Sequence, residues 1–364
     1  MKRSLQLAVC CSRFFEKTNV KFLCAFFIAV ACQPSTVNCQ DIHFTQFFTN
    51  PLILNPAQTG NFNGNYRIGF NFKAQWPWAI SNTVYNYHTE TPYVDFSFGE
   101  KKLKSGWMGI GLNFLNDEAG DGNLKYQRFG VSYAYHQAFD KDHRYILSAG
   151  VVANYIIRSV NFSKFYFNNQ WVDDNGFNTS LSSNEPVQRQ SFGMFDLGAG
   201  INFGAQISER VKLDVGFSML HLTRPKHSFY NNDERLGFRY AANANLGYAV
   251  TDHVSLSGNF YFGYEKKATE IVLGSMLGYG FYDRKRTKIE GTLYFGVYYR
   301  VKDALAPLVG YQFRKTRVLL SYDVTLSKLI SPARANGGPE ISLVHVGIWG
   351  KNIFQGKKVY CPQF

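Results

Sequence analysis

No run of eighteen or more apolar residues occurs in the 364-residue chain, which excludes a design that crosses a membrane on helices. Stretches with helical periodicity are missing as well. Of the six cysteines, Cys10, Cys11, Cys24, Cys32 and Cys39 precede residue 40 and only Cys361 follows, so there is neither a disulfide framework nor a cysteine metal cluster. Catalytic signatures are lacking too: no G-x-S-x-G elbow, no H-E-x-x-H and no Walker loop. Gly198, Gly200 and Gly204 have the wrong spacing for a dinucleotide turn and sit inside a strand pattern.

What the chain has is alternation. Tyr66, Ile68, Phe70 and Phe72 put an apolar group at every second position, with Arg67, Gly69, Asn71 and Lys73 between them. This period of two makes a strand with one greasy and one wet face. The pattern returns at Met108, Ile110, Leu112 and Phe114, and again at Val211, Leu213, Val215 and Phe217. About fourteen such segments follow one another, twice what a soluble sandwich needs, and they predict an all-β fold: a transmembrane antiparallel up-and-down β-barrel. A mean hydropathy of -0.22 beside 17% aromatic residues agrees, because barrel strands give lipid only alternate side chains. Glycine on the wet faces (Gly69, Gly109, Gly111, Gly198, Gly200, Gly216, Gly247) suits a crowded or curved lumen, whose inward positions read as Gly, Asn and Ser with few charges.

Four regions are expected. Residues 1–39 read as an export signal: Lys2, Arg3, Arg13, Lys17 and Lys21 precede an apolar stretch from Phe22 to Ala31 that is too short to span. Cleavage after Ala31 would instead leave Cys32 first, as in a lipoprotein, but Ala29 suits that recognition site poorly. Residues 40–64 carry Phe44, Phe47 and Phe48 and two Asn-Pro pairs without strand alternation, and are expected to fold under or into the periplasmic mouth. The barrel is placed at 65–349, its first strand near 65–73 and its last near 340–349, and a periplasmic tail at 350–364. Connections alternate in size. The long ones, 158–191, 221–237 and 327–339, fall on one side, and turns such as 204–210, 250–253 and 314–317 on the other, as long external loops and short periplasmic turns do.

The formal charge of +13 is spread unevenly. Basic groups gather on the short-turn side: Lys101, Lys102 and Lys104; Arg284, Lys285, Arg286 and Lys288; Arg314, Lys315 and Arg317; Lys351, Lys357 and Lys358. The long-loop side mixes signs, as in Asp117, Glu118 and Asp121, or Asp173 and Asp174 with Lys164 and Arg189. Contact with anionic lipid headgroups explains the basic side. So does docking of an acidic periplasmic partner on Arg284, Lys285, Arg286, Arg314, Lys315 and Arg317, with the tail Cys361, Pro362 and Phe364 as a short anchor. No nucleic-acid motif accompanies these charges, so nucleic acid is not an expected partner. No cofactor and no metal is expected either: His221 and His227, the closest histidines, share their loop with Arg224 and Lys226. Asp233 and Glu234 beside His227 could be written as a hydrolytic group, but polar loop residues of this kind are expected anyway.

Residues 40–60, QDIHFTQFFTNPLILNPAQTG, with Asn50-Pro51, Asn55-Pro56 and Gly60, resemble the opening of the PorP/SprF family of Bacteroidetes outer-membrane proteins. The segments YRIGFNFKAQWPWAI (66–80), GIGLNFLNDEAGDGNL (109–124) and SYDVTLSKLISPARANGGPEISL (321–343) are similar to the family's first strand and tryptophan loop, acidic glycine loop and final hairpin, and CPQF resembles its terminus. Ile42 stands where proline is usual and Gln363 where arginine is usual, which puts in doubt any salt bridge that arginine makes in relatives. The resemblance implies a non-enzymatic component of the type IX secretion and gliding machinery in the bacterial outer membrane, docking periplasmic ring components or anchoring a secreted adhesin. The alternative from the residues alone is a channel or transporter for small solutes.

Overall fold

The computed structural model describes residues 44–349 except 77–86, 100–102, 104, 121, 174, 179, 186–188, 231, 283–288 and 327–335. The expected leader and the tail beyond 349 lie outside the described residues. The strands are β1 (Tyr66–Ala74), β2 (Tyr87–Phe98), β3 (Gly106–Ala119), β4 (Leu124–Ala138), β5 (Tyr145–Ser159), β6 (Trp171–Val172), β7 (Gly176–Phe177), β8 (Ser191–Gln206), β9 (Val211–Leu220), β10 (Arg239–Ala249), β11 (Val254–Glu265), β12 (Ala268–Tyr282), β13 (Ile289–Arg300), β14 (Ala304–Phe313), β15 (Thr316–Thr325) and β16 (Asn336–Gly347).

Among the described residues, fourteen of these form one closed antiparallel barrel, each strand beside its sequence neighbour, while β6 and β7 make a small separate hairpin in the β5–β8 connection. Closure comes from β1 on β16, in register from Tyr66 opposite Gly347 to Lys73 opposite Glu340. With no free edge, the strand backbones find partners within the sheet, the condition for crossing hydrocarbon.

Exposure follows the period of two. In β5 and in the first half of β8 every second residue is exposed and its neighbour buried. The outward set is apolar: Leu112, Val131, Val151, Ile201, Phe295 and Val309 lie at mid-strand and stand about half exposed. Aromatic residues mark both rims of this band, with Tyr145, Tyr248, Phe281 and Phe313 at one end and Tyr155, Phe195 and Tyr264 at the other. An apolar belt between aromatic girdles is how a barrel meets a bilayer. In β1 the inward set is Arg67, Gly69, Asn71 and Lys73, all buried.

Prolines locally interrupt the ladder. The β2–β3 pairing skips Thr91 and Pro92, and the β14–β15 pairing skips Ala306 and Pro307, because proline has no N–H to give. The last strand begins at Asn336, earlier than the pattern predicts, since the Gly337-Gly338-Pro339 stretch pairs with Tyr322 and Asp323. A side chain at Gly338 would stand 1.8 Å from the Ala74 carbonyl oxygen, so only glycine lets the strands approach there.

Replacing Val131, which faces outward at mid-strand and is 52% exposed, by arginine should destabilise the folded barrel by about 2–4 kcal/mol in bilayers. Equilibrium urea unfolding in lipid vesicles measures this.

Candidate functional site

The lumen is filled. Residues 44–65 run through it, and all but Ile53 and Asn63 are buried. The path starts in the half nearer the long connections, where Thr45 and Gln46 meet β15 and β16, and ends at the short turns, where the Asn65 N–H donates to the Gly347 carbonyl 2.9 Å away. The sequence places the segment under or into the periplasmic mouth. It runs beyond the mouth and through the barrel interior along most of its length, where the lumen buries its apolar and amide side chains.

Short helical turns at Phe47–Thr49, Pro51–Leu54 and Pro56–Gln58 fold the plug. Proline opens the second and third turns, where its missing N–H is no loss. The preceding asparagines reach the wall. Asn50 Nδ2 donates to Thr91 Oγ1 at 2.7 Å, and Asn55 Nδ2 to the Ile201 carbonyl at 2.9 Å while its Oδ1 caps the Ala57 N–H. Phe48 stacks on Tyr298 with centroids 5.3 Å apart, and Phe47 lies against Tyr261. The aromatics of the plug and wall thus form one buried cluster with Leu308 and Leu319.

Wall side chains take the plug's backbone groups. Glu340 accepts the N–H of Thr45 (3.0 Å) and of Gln46 (2.8 Å), and Asp95 that of Gly60 (2.7 Å). Tyr93 Oη donates to the Thr49 carbonyl at 2.7 Å, Ser218 Oγ to Leu54 at 2.8 Å, Arg67 to Gln58 at 3.2 Å and Trp107 Nε1 to Gly60 at 3.0 Å. His136 Nε2 lies 2.8 Å from the Thr59 carbonyl and Nδ1 2.7 Å from Ser148 Oγ. A carbonyl can only accept, so Nε2 carries the proton to Thr59, and with the ring neutral Nδ1 accepts from Ser148.

Wall glycines make room. A methyl at Gly109 would sit 2.1 Å from Thr59 O, at Gly150 2.4 Å from Pro56 O, and at Gly200 2.0 Å from Asn55 Oδ1. The crowded lumen inferred from wet-face glycine is therefore crowded by the chain's own N-terminal segment. Gly60 itself has φ of 75° and faces Gly109 backbone to backbone.

The expectation of few inward charges is wrong. Arg67 grips Asp95 with two hydrogen bonds of 2.7 and 3.0 Å, both side chains buried. Asp323 binds Lys73 at 2.9 Å and Arg300 at 2.8 Å, with Glu340 3.9 Å from Lys73. His221 and Asp196 make a third buried contact at 3.0 Å. Such charges persist where opposite charges and hydrogen bonds surround them. The sequence hides them because each partner comes from a distant strand.

The basic rim is only partly described. Arg284, Lys285, Arg286, Cys361, Pro362 and Phe364 lie outside the described residues, as do Lys101, Lys102 and Lys104. Arg314 is exposed on the β14–β15 turn, 3.6 Å from Glu290. Partial burial lowers the pKa of its neighbour Lys315. Arg317 is not on the rim: it is 4% exposed, faces the lumen, and lies 5.8 Å from the Tyr294 ring centre. At the second residue past the turn, strand alternation already points it inward. The described part of this rim mixes signs, as in Arg144 bound to Asp140 at 3.1 Å.

On the long-loop side, His221 and His227 are drawn to different neighbours. His221 meets Asp196, whereas His227 faces Arg158 at 3.4 Å, Lys266 at 3.2 Å and Glu234 at 3.7 Å. No group of three metal-ligating side chains is found among the described residues. Burial, then Arg158 and Lys266, hold the His227 pKa below its ordinary value against the pull of Glu234.

Two outcomes follow from this geometry. Gly150→Val should expel the plug while leaving the barrel folded, read as new protease sensitivity within residues 44–64 beside unchanged heat-modifiable migration. A depressed histidine pKa means that closing the 221–238 loop disfavours the proton, so closure is complete above the ordinary histidine pKa of about 6.5 and weakens as pH falls below it. Protection factors for amide exchange in this loop, corrected for the intrinsic slowing of exchange at lower pH, should fall from pH 7 to pH 5, and the fall should vanish in His227→Asn.

Comparison with known proteins adds what geometry does not carry. Similar solved structures include the Ralstonia pickettii toluene transporter TbuX (11% identity, TM-score 0.45, covering 81% of this chain and 92% of that one). A Pseudomonas aeruginosa FadL homologue (10%, TM-score 0.45, 82% and 94%) and the CymD monoaromatic hydrocarbon channel (8%, TM-score 0.46, 83% and 93%) are further such structures. No curated protein matches the sequence. The family model described as type IX secretion system membrane protein PorP/SprF matches residues 36–344, which include the plug and nearly every barrel strand, and the chain belongs to that family.

Proposed function

We propose that this protein works in type IX secretion as a closed outer-membrane barrel that docks other components and does not conduct solutes. The observation that carries this reading is the plugged lumen. While residues 44–65 occupy the lumen, the surfaces open to partners are the two rims and the lipid-facing wall. The leader pattern and the family support export to the outer membrane, the long connections then facing outward.

Each rim suits a different partner. The short-turn side, through Arg284, Lys285, Arg286, Arg314 and Lys315 and the tail Cys361, Pro362 and Phe364, would meet periplasmic ring components. The β5–β8 connection exposes Tyr166, Trp171 and Phe177, whose rings gather within 5.2 Å of one another in pairs. Exposed aromatic clusters are frequent anchors of protein interfaces, and this one would hold a secreted adhesin.

Neutralising Arg284, Lys285, Arg286, Arg314 and Lys315 and deleting residues 361–364 should leave an inserted, heat-modifiable barrel that co-purifies less ring material. The loss should shrink as salt rises, because exposed pairs contribute about 0.2–1 kcal/mol each and are screened. Trp171→Ala with Tyr166→Ala should instead reduce retention of the surface partner. Unchanged recovery of both partners would return the basic side to lipid contact, and steady conductance of the intact chain in planar bilayers would favour the solute-channel reading.

A further inference from the structure

The plug carries no charged side chain from Phe44 to Asn65, although the wall around it holds Arg67, Lys73, Asp95, Arg300, Asp323 and Glu340. The wall's charges pair with one another; Glu340, Asp95 and Arg67 also bond the plug's main chain, and Asp323 and Arg300 the Thr45 hydroxyl. Two wall carboxylates take three plug N–H groups. Donors from five wall side chains take plug carbonyls. Main-chain recognition of this density is what peptide-binding sites use for affinity, with side-chain pockets adding selectivity. Selectivity here has a visible source. Asn50 and Asn55 are read by the wall at Thr91 and Ile201, and the bare backbones of Gly109, Gly150 and Gly200 admit Thr59, Pro56 and Asn55.

We propose that the lumen is a binding site for a charge-free polypeptide segment folded into proline-set helical turns, and that residues 44–65 are its tethered occupant. A matching segment of an exported polypeptide would take the same place when the plug leaves. The plug joins the barrel only through Asn65 and β1, and Asn63, just before this junction, is exposed. It is otherwise held by non-covalent contacts, and tethering gives it an effective concentration of order millimolar. A competing segment therefore enters only when the tethered one is drawn out or outnumbered. This inference concerns the lumen alone and does not depend on which partner the rims engage.

The test uses the full chain with a site-specific protease sequence introduced at Asn63 and cut after folding. A fluorescent synthetic peptide of residues 44–62 is then added to the cut barrel in detergent. The released plug should be replaced saturably by the peptide, with the barrel still heat-modifiable. A peptide carrying Asn50→Ala and Asn55→Ala should bind about ten-fold or more weakly, the loss of one or two wall hydrogen bonds. Glu340→Gln, which keeps shape but removes the carboxylate, should speed release of the native peptide several-fold. A scrambled peptide that binds as well as the native one would overturn the proposal. So would a cut plug that never exchanges at temperatures where the barrel stays folded, because the segment would then be a permanent part of the core.

Discussion

Every backbone N–H and C=O enclosed by this molecule must find a partner without water, and that requirement shapes both of its layers. In the wall it is met by pairing β1 with β16, which removes the two edges an open sheet would present to lipid. In the lumen it is met by side chains, because a plug of short turns has few partners of its own. Charged residues in the wall follow from this. A carboxylate such as Glu340 can accept two backbone N–H groups at once, which a neutral serine or asparagine oxygen does less strongly.

The two layers are also fitted by volume. Glycine on the wet face of a strand looks like a loss of packing, yet Gly109, Gly150 and Gly200 each face an atom of the plug that a methyl group would strike. Aromatic surface then fills the wider spaces, as where Phe48 lies on Tyr298. Trp107 does both tasks, stacking on His136 at 4.8 Å and giving its N–H to Gly60. Family membership places this filled barrel among the type IX secretion membrane proteins.

The strand pattern was legible because side chains alternate strictly: Tyr66 to Lys73 could be assigned face by face from the letters alone. The plug was legible in part. Three phenylalanines and two Asn-Pro pairs argued against a disordered remnant, but nothing local says which lumen surface they meet or how far up the barrel they run. Lumen charges were missed for a related reason. Lys73 means little beside Asn71 and becomes intelligible only next to Asp323, at the other end of the chain. Arg317 was misplaced because it follows Arg314 and Lys315 in a basic run, while a one-residue change of face separates a rim side chain from a buried one.

The clamp on Thr45 joins the start of the described chain to Glu340, 295 residues later. β16 supplies both that carboxylate and the closing partner of β1. Sealing the wall and seating the plug therefore await the same final strand, and neither can be completed on a growing chain. Up to that moment the N-terminal segment, with its phenylalanines and unpaired amides, has no finished lumen to occupy and must be kept from aggregating by something other than its own barrel. Assembly of this protein is in that sense a single late event, which puts its most vulnerable interval before the last strand arrives.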